Sequence, residues 1–170
     1  MVANGDSLIL IDSEKLEIRG RLDANLGKSI TSLSFQEKNF KGEGLLVGTV
    51  DTLSIYSLEK DNERLVLKGT RNVGDKITTA TWVHRRIAVG GWNRIRLFNE
   101  NLVEIGGVEY AHQGNVAGLC ASREPGVLVS IGHDGLVKEW MIREMCTTFT
   151  EELVSSVDTL DSLFGGIQQS

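Results

Sequence analysis

Apolar and polar residues alternate along most of this chain in runs of four to six, and Gly, Asn or Asp punctuates the runs. A period of two places successive side chains on opposite faces of a β-strand. Four runs align with one another. They are Asp6-Ser7-Leu8-Ile9-Leu10-Ile11, Asp51-Thr52-Leu53-Ser54-Ile55-Tyr56, Asn93-Arg94-Ile95-Arg96-Leu97-Phe98 and Gly135-Leu136-Val137-Lys138-Glu139-Trp140, the last with Asp134 one step before it. Their large apolar final residues stand at 11, 56, 98 and 140, a spacing of 45, 42 and 42. A second series precedes these: Ile30-Thr31-Ser32-Leu33, Ile77-Thr78-Thr79-Ala80 and Val116-Ala117-Gly118-Leu119. Between the two series lie Leu45-Leu46-Val47-Gly48, Ile87-Ala88-Val89-Gly90 and Val127-Leu128-Val129-Ser130. Further alternating stretches, such as Leu16-Glu17-Ile18-Arg19 and Leu65-Val66-Leu67-Lys68, follow the first series. Before residue 150 no stretch keeps the three-to-four-residue apolar period of a helix over ten positions.

The repeating unit is therefore about 42 residues long and holds four short strands. One such sheet leaves apolar residues on both faces, so it is stable only when neighbours stack against it. Units of this length and content predict an all-β fold of β-propeller blades. The phase divides the chain into a half blade at 1–26 (third and fourth strands), complete four-stranded blades at 27–72, 73–110 and 111–150, and a remainder at 151–170. In that remainder Val157-Asp158-Thr159-Leu160 repeats the first-strand spacing, 41 residues after Val116, and predicts the start of a further blade. A helix with Leu153, Val157, Leu160 and Phe164 on one face is the competing reading. About four blades expose apolar faces and strand edges at each end of the arc. The chain is then expected to be part of a longer protein, to pair with a second chain, or to close a ring with its own copy.

One unit carries a more specific pattern. Ala111-His112-Gln113-Gly114-Asn115-Val116 is followed by Leu128-Val129-Ser130-Ile131-Gly132-His133-Asp134-Gly135-Leu136-Val137-Lys138-Glu139-Trp140. This resembles the WD-repeat family: a glycine-histidine opening, a serine in the second strand, an Asp-Gly turn and a tryptophan closing the third strand. The resemblance implies a hydrogen-bonded network within the blade, Trp140 to Ser130, Ser130 to His112 and His112 to Asp134. Ala111 stands where the family prefers glycine, and Met141 where it has the aspartate of its name. Earlier units keep Asp51 and Asn93 at the turn but have Tyr56 and Phe98 for the tryptophan. Non-catalytic scaffolding of a larger complex is the function the resemblance implies, with a protein or peptide as partner.

Bulk properties narrow the alternatives. Apolar residues make up 41% and charged residues 24% of the 170, ordinary for a folded domain. One proline against 19 glycines suits many tight turns between paired strands. Of the net charge of −5, the residues from Arg143 onward hold −4, so no basic stripe advertises nucleic-acid binding. Cys120 and Cys146 lie in different predicted strands and read as reduced thiols, which points to the cytoplasm or nucleus. No apolar stretch reaches the roughly 20 residues of a membrane span.

His112, Asp134 and Ser130 are the parts of a nucleophilic triad, but the repeat explains their spacing and no nucleophile-elbow sequence is present. His112 and His133 lack the additional ligands of a metal site, so no metal and no cofactor is expected. By resemblance, partners bind on loops at the rim of a propeller, which here selects Trp92, His133, Lys76, Gln113 and Asn115. Trp92 is either an anchor for a partner or a cover for the neighbouring blade. Arg85, Arg86, Arg94 and Arg96 place four of ten arginines within twelve residues. They form a candidate patch for a phosphopeptide, a phosphoinositide headgroup or an acidic partner, or else a solvated set of turn residues. His84-Arg85-Arg86-Ile87 misses both ends of the Phe/Leu-Arg-Arg-Gly motif of phosphoinositide-binding propellers. Trp140-Met141-Ile142-Arg143 half-matches the Trp-Asp-x-Arg box of cullin ubiquitin-ligase substrate receptors, which is the alternative function.

Overall fold

The computed structural model describes residues 2–4, 7–11, 15, 18–22, 27–36, 44–59 and 64–146. Four antiparallel sheets follow one another in chain order. The first contains β1 (Val2–Asn4), β2 (Ser7–Ile11) and β3 (Ile18–Leu22). The second contains β4 (Ile30–Phe35), β5 (Gly44–Thr49), β6 (Thr52–Glu59) and β7 (Arg64–Asn72). The third contains β8 (Thr79–Val83), β9 (Arg86–Gly90), β10 (Ile95–Asn99) and β11 (Glu104–Val108), and the fourth β12 (Val116–Ala121), β13 (Val127–Gly132) and β14 (Val137–Met141). Each strand pairs with its sequence neighbours, so every sheet is a meander. The leading strands β4, β8 and β12 pack against one another, and the sheets fan out from that shared inner edge as propeller blades do.

Among the described residues, two sheets have four strands and two have three. The first sheet contains β1, which pairs Val2 with Ile9 and Ala3 with Leu8, where only a third and a fourth strand were expected. Three residues are too few for alternation to be legible. In the unit at 111–150, expected to be four-stranded, β14 is followed by a helical turn, α1 (Ile142–Met145), and residues 147–150 lie outside the described residues. Ile142 and Met145 are both buried, three residues apart, with charged Arg143 and Glu144 between them. That is a helical phase, not a strand phase. After α1, Cys146 forms a bridge to Gly106 of the third sheet. A Cβ on Gly106, which has φ +149°, would collide with the Met145 carbonyl, so this close approach requires glycine. The expectations for 151–170 lie outside the described residues.

Between the sheets run three apolar seams, and each inner sheet feeds two of them. On β5, Leu45 and Val47 pack with Leu8 and Tyr56 toward the first sheet. Leu46 points the other way, joining Leu53 and Ile55 of β6 with Ile77, Trp82, Ile87, Val89 and Phe98. On the third sheet Ala88, Ile95 and Leu97 turn to Ala111, Val116 and Leu128 of the fourth. The continuous apolar runs of β5 and β9 are thus strands buried on both faces. Polar links cross the seams as well: Ser34 Oγ accepts from the Trp82 amide at 3.0 Å, and Thr78 Oγ1 donates to the Val116 carbonyl at 2.6 Å.

Candidate functional site

Two places in the arc concentrate polar chemistry, one buried and one exposed. In the buried one, Trp140 Nε1 donates to Ser130 Oγ at 2.7 Å, Ser130 Oγ lies 2.8 Å from His112 Nε2, and His112 Nδ1 lies 3.0 Å from Asp134 Oδ1. The donors assign themselves. The indole can only donate, so the serine hydroxyl passes its hydrogen to Nε2, and Nδ1–H donates to the carboxylate. His112 is 2% and Ser130 1% exposed, and both ends of the serine hydroxyl are engaged. This arrangement pins the inter-sheet connection to β13 and offers Ser130 no approach to a substrate. Gly132 lies beneath the imidazole, where a Cβ would overlap the ring and Asp134. Outside the network, Lys138 Nζ donates to the Ala111 carbonyl at 2.6 Å and lies 5.8 Å from the Trp140 ring centre.

Asp134 joins the network to the surface. The Gln113 amide above all, then the Leu136 amide and the His112 ring, hold its carboxyl down at about 2, against the opposing effect of partial burial. A carboxylate with a depressed pKa adds stability above its ordinary titration near 3.8, and that stability disappears as the pH falls through about 2. Asp134→Asn should therefore be less stable than the wild type at neutral pH and converge with it near pH 2. Thermal melts followed by circular dichroism across that range test this; a gap independent of pH would refute it.

The exposed place is the side of the arc formed by the second-to-third-strand turns and the connections between sheets. Backbone hydrogen bonds tie these segments together: Ile77 N to Val50 O at 2.6 Å, Val116 N to Gly91 O at 3.0 Å, His112 N to Asn93 O at 3.4 Å and His133 N to Asn115 O at 2.9 Å. Asp75 accepts from Arg94 Nη2 at 2.6 Å, and Arg94 Nη1 reaches Glu109 at 3.5 Å. The Arg94 hydrogen bond holds the Asp75 carboxyl below its ordinary value. On this braced rim Trp92 leaves 64% and Tyr110 82% of its surface exposed. Lys76, Gln113 and His133 are exposed beside them and Asn115 is half-buried. Trp92 therefore presents most of its surface to solvent.

Tyr110 was not among the sequence candidates. The strand pairing of Ile95 with Val108 and the Arg94–Glu109 ion pair place it across from Asn93, next to Trp92 in sequence. Its φ of +56° is unusual for a side chain of that size. An aromatic at a polar junction, directly before Ala111-His112, was the available signal.

The four arginines do not form one patch. Arg85 lies in the turn after β8 and pairs with Glu100 at 3.1 Å, at the opposite end of the strands from Arg94. Arg86 opens β9 at that same far end, half-buried. Arg96, 16% exposed, pairs with Glu104 and donates to the Val73 carbonyl at 2.8 Å. Cross-strand and turn acids neutralise three of the four, so the local charge that suggested an anion site is cancelled. Arg143 is exposed on α1 rather than on a strand. Among the described residues, no group of three or more His, Cys, Asp or Glu side chains is arranged to hold a metal ion. No described helix is long and apolar enough to cross a membrane.

The chain is thus an arc of antiparallel blades of the β-propeller class, with a WD-like network in its fourth sheet. Among solved structures it is similar to the crystal structure of Sqt1 from Chaetomium thermophilum, a propeller protein, with a TM-score of 0.58 and 16% sequence identity. The match covers 75% of this chain and 33% of that one, so the arc corresponds to about a third of that chain's length. At this identity the likeness shows the fold alone. No protein-family model and no curated protein sequence matches the chain.

Proposed function

We propose that this chain is a non-catalytic docking platform that holds a protein or peptide partner on its turn-side rim, as a subunit of a larger assembly. The observation that carries this reading is the pair of exposed aromatics, Trp92 and Tyr110, held on a backbone fixed at several points. Large exposed aromatic side chains on a rigid frame bury much area at little entropic cost when a partner covers them. The propeller fold supports the same reading, because its strands build a frame while its loops recognise. Ser130 and His112, the residues nearest to a reactive set, are spent on holding the fourth sheet together.

A displayed random-peptide library selected against the intact chain tests the rim. Peptides should be enriched, and a Trp92→Ala, Tyr110→Ala double variant should bind them at least about tenfold more weakly, the size expected for hot-spot aromatics. Both positions are exposed, so thermal stability should stay within about 0.5 kcal/mol of wild type. Arg85→Ala, on the opposite side, should bind normally. Selected peptides that bind the double variant as well as they bind the wild type would remove the rim from the proposal.

A further inference from the structure

The docking rim carries an anion and an aromatic that the fold itself uses little. Arg94 gives Asp75 two close hydrogen bonds, from Nη2 at 2.6 Å and from Nε at 3.0 Å. It reaches Glu109 only with Nη1, at 3.5 Å. Asp75 is thereby neutralised, whereas the Glu109 side chain stays 65% exposed with that one long contact among the described residues. Lys76 is exposed on the Asp75 side of Arg94. The sign of the surface therefore changes along the rim: a partner's cation is favoured at Glu109 and disfavoured at Lys76.

Tyr110 follows Glu109 in the same turn. Three described residues other than glycine have left-handed backbone: His84, Leu102 and Tyr110. The surroundings account for two of them. Leu102 is buried in the seam between the second and third sheets, and the His84 ring accepts from the Gly126 amide at 3.2 Å. Tyr110, with φ +56°, is 82% exposed, and among the described residues no hydrogen bond or ring contact offsets its strain. Strain of this kind persists where contact with a ligand makes use of it. A phenol ring next to a carboxylate adds the attraction of its face for a cation to that of the charge.

We propose that the partner segment brings a lysine or arginine to Glu109 and Tyr110, an inference that rests on the docking role given to the rim above. An acidic segment finds less here, because three of the four clustered arginines already hold acids of this chain.

Peptides selected on the intact chain from a displayed random library test this, and they should be enriched in Lys or Arg at one position. The net charge of −5 draws basic peptides to the whole chain, so location decides. With a selected peptide, Glu109→Gln should weaken binding about threefold and Glu109→Lys about tenfold. Glu100→Lys, the same charge change at the opposite end of the strands, should alter it less than about twofold. Changing the peptide's basic residue to Glu should weaken binding to the wild type and restore binding to Glu109→Lys to within about threefold. If Glu109→Lys fails to fold, Glu109→Gln and a peptide with Gln at the basic position complete the same cycle; neutralising both should then cost little more than neutralising either. A library that yields no binder, or binding unchanged by Trp92→Ala with Tyr110→Ala, would remove the docking reading and this inference with it. Binding weakened by that double variant but not by Glu109→Lys would leave the rim as the dock and overturn the cation site. Enrichment of acidic peptides, or equal losses from Glu109→Lys and Glu100→Lys, would overturn it as well.

Discussion

His112→Ala should lower the free energy of unfolding by about 3 kcal/mol, the largest loss expected from a polar position. The imidazole links Ser130 to Asp134, and the Ser130 side is buried away from solvent. Its removal leaves a buried hydroxyl without its acceptor and a carboxylate without one of its donors, and it opens a cavity beside Gly132. Ser130→Ala should cost about 2 kcal/mol, because the Trp140 N–H and His112 Nε2 both lose their partner. Trp140→Phe, which keeps the ring, should cost only about 1 kcal/mol, since Ser130 can still donate to His112. Urea titrations at neutral pH measure all three. The order matters more than the sizes: a tryptophan loss exceeding the histidine loss would mean that ring packing, and not the hydrogen-bond chain, holds this sheet.

That network was legible in the sequence because its four residues sit at fixed phases of a repeat whose period could be counted. The same repeat made β5 and β9 readable, since short apolar runs such as Ile87-Ala88-Val89, bounded by turns at a fixed phase, suit a strand buried on both sides. The arc loses legibility where the repeat does. The three-residue strand β1 is shorter than any pattern, and it is identified only by its pairing with β2. Around Ile142–Met145 the unit length continues, but the buried positions switch from alternate residues to every third. A count of residues per unit cannot register that switch, though the adjacent charges of Arg143 and Glu144 were a clue.

The surface was harder to read, for a different reason. Arg85, Arg86, Arg94 and Arg96 are close in sequence, but one strand and its turn separate their ends in space, and the acids that neutralise them lie eight to nineteen residues away. Proximity along a meander is therefore a poor guide to shared charge. Trp92 stands out as a turn tryptophan, but the place of Tyr110 across from the adjoining Asn93 depends on the register of β10 with β11 and on the bulge at Leu97 and Phe98.

Phe98→Ala should cost about 4 kcal/mol and split a single unfolding transition into two. Phe98 is fully buried in the seam between the second and third sheets. The guanidiniums of Arg71 and Arg96 lie 5.7 and 5.2 Å from its ring centre, and they also bond to the Leu102 and Val73 carbonyls, which fastens β7 to the next sheet. Truncation thus removes apolar contact and withdraws the ring face from two partly desolvated cations. A total stability of about 5–15 kcal/mol leaves little margin for such a loss. In a stack where each sheet is stabilised by its neighbours, cooperativity resides in the seams more than in the sheets. Weakening one seam should therefore uncouple the sheets on either side before it unfolds either. Phe98→Leu, which refills most of the volume, should cost less than about 1.5 kcal/mol and keep one transition. Urea unfolding followed separately by tryptophan fluorescence and circular dichroism distinguishes these outcomes. Coincident curves for the alanine variant would show that the arc folds as one unit whose coupling does not pass through this ring.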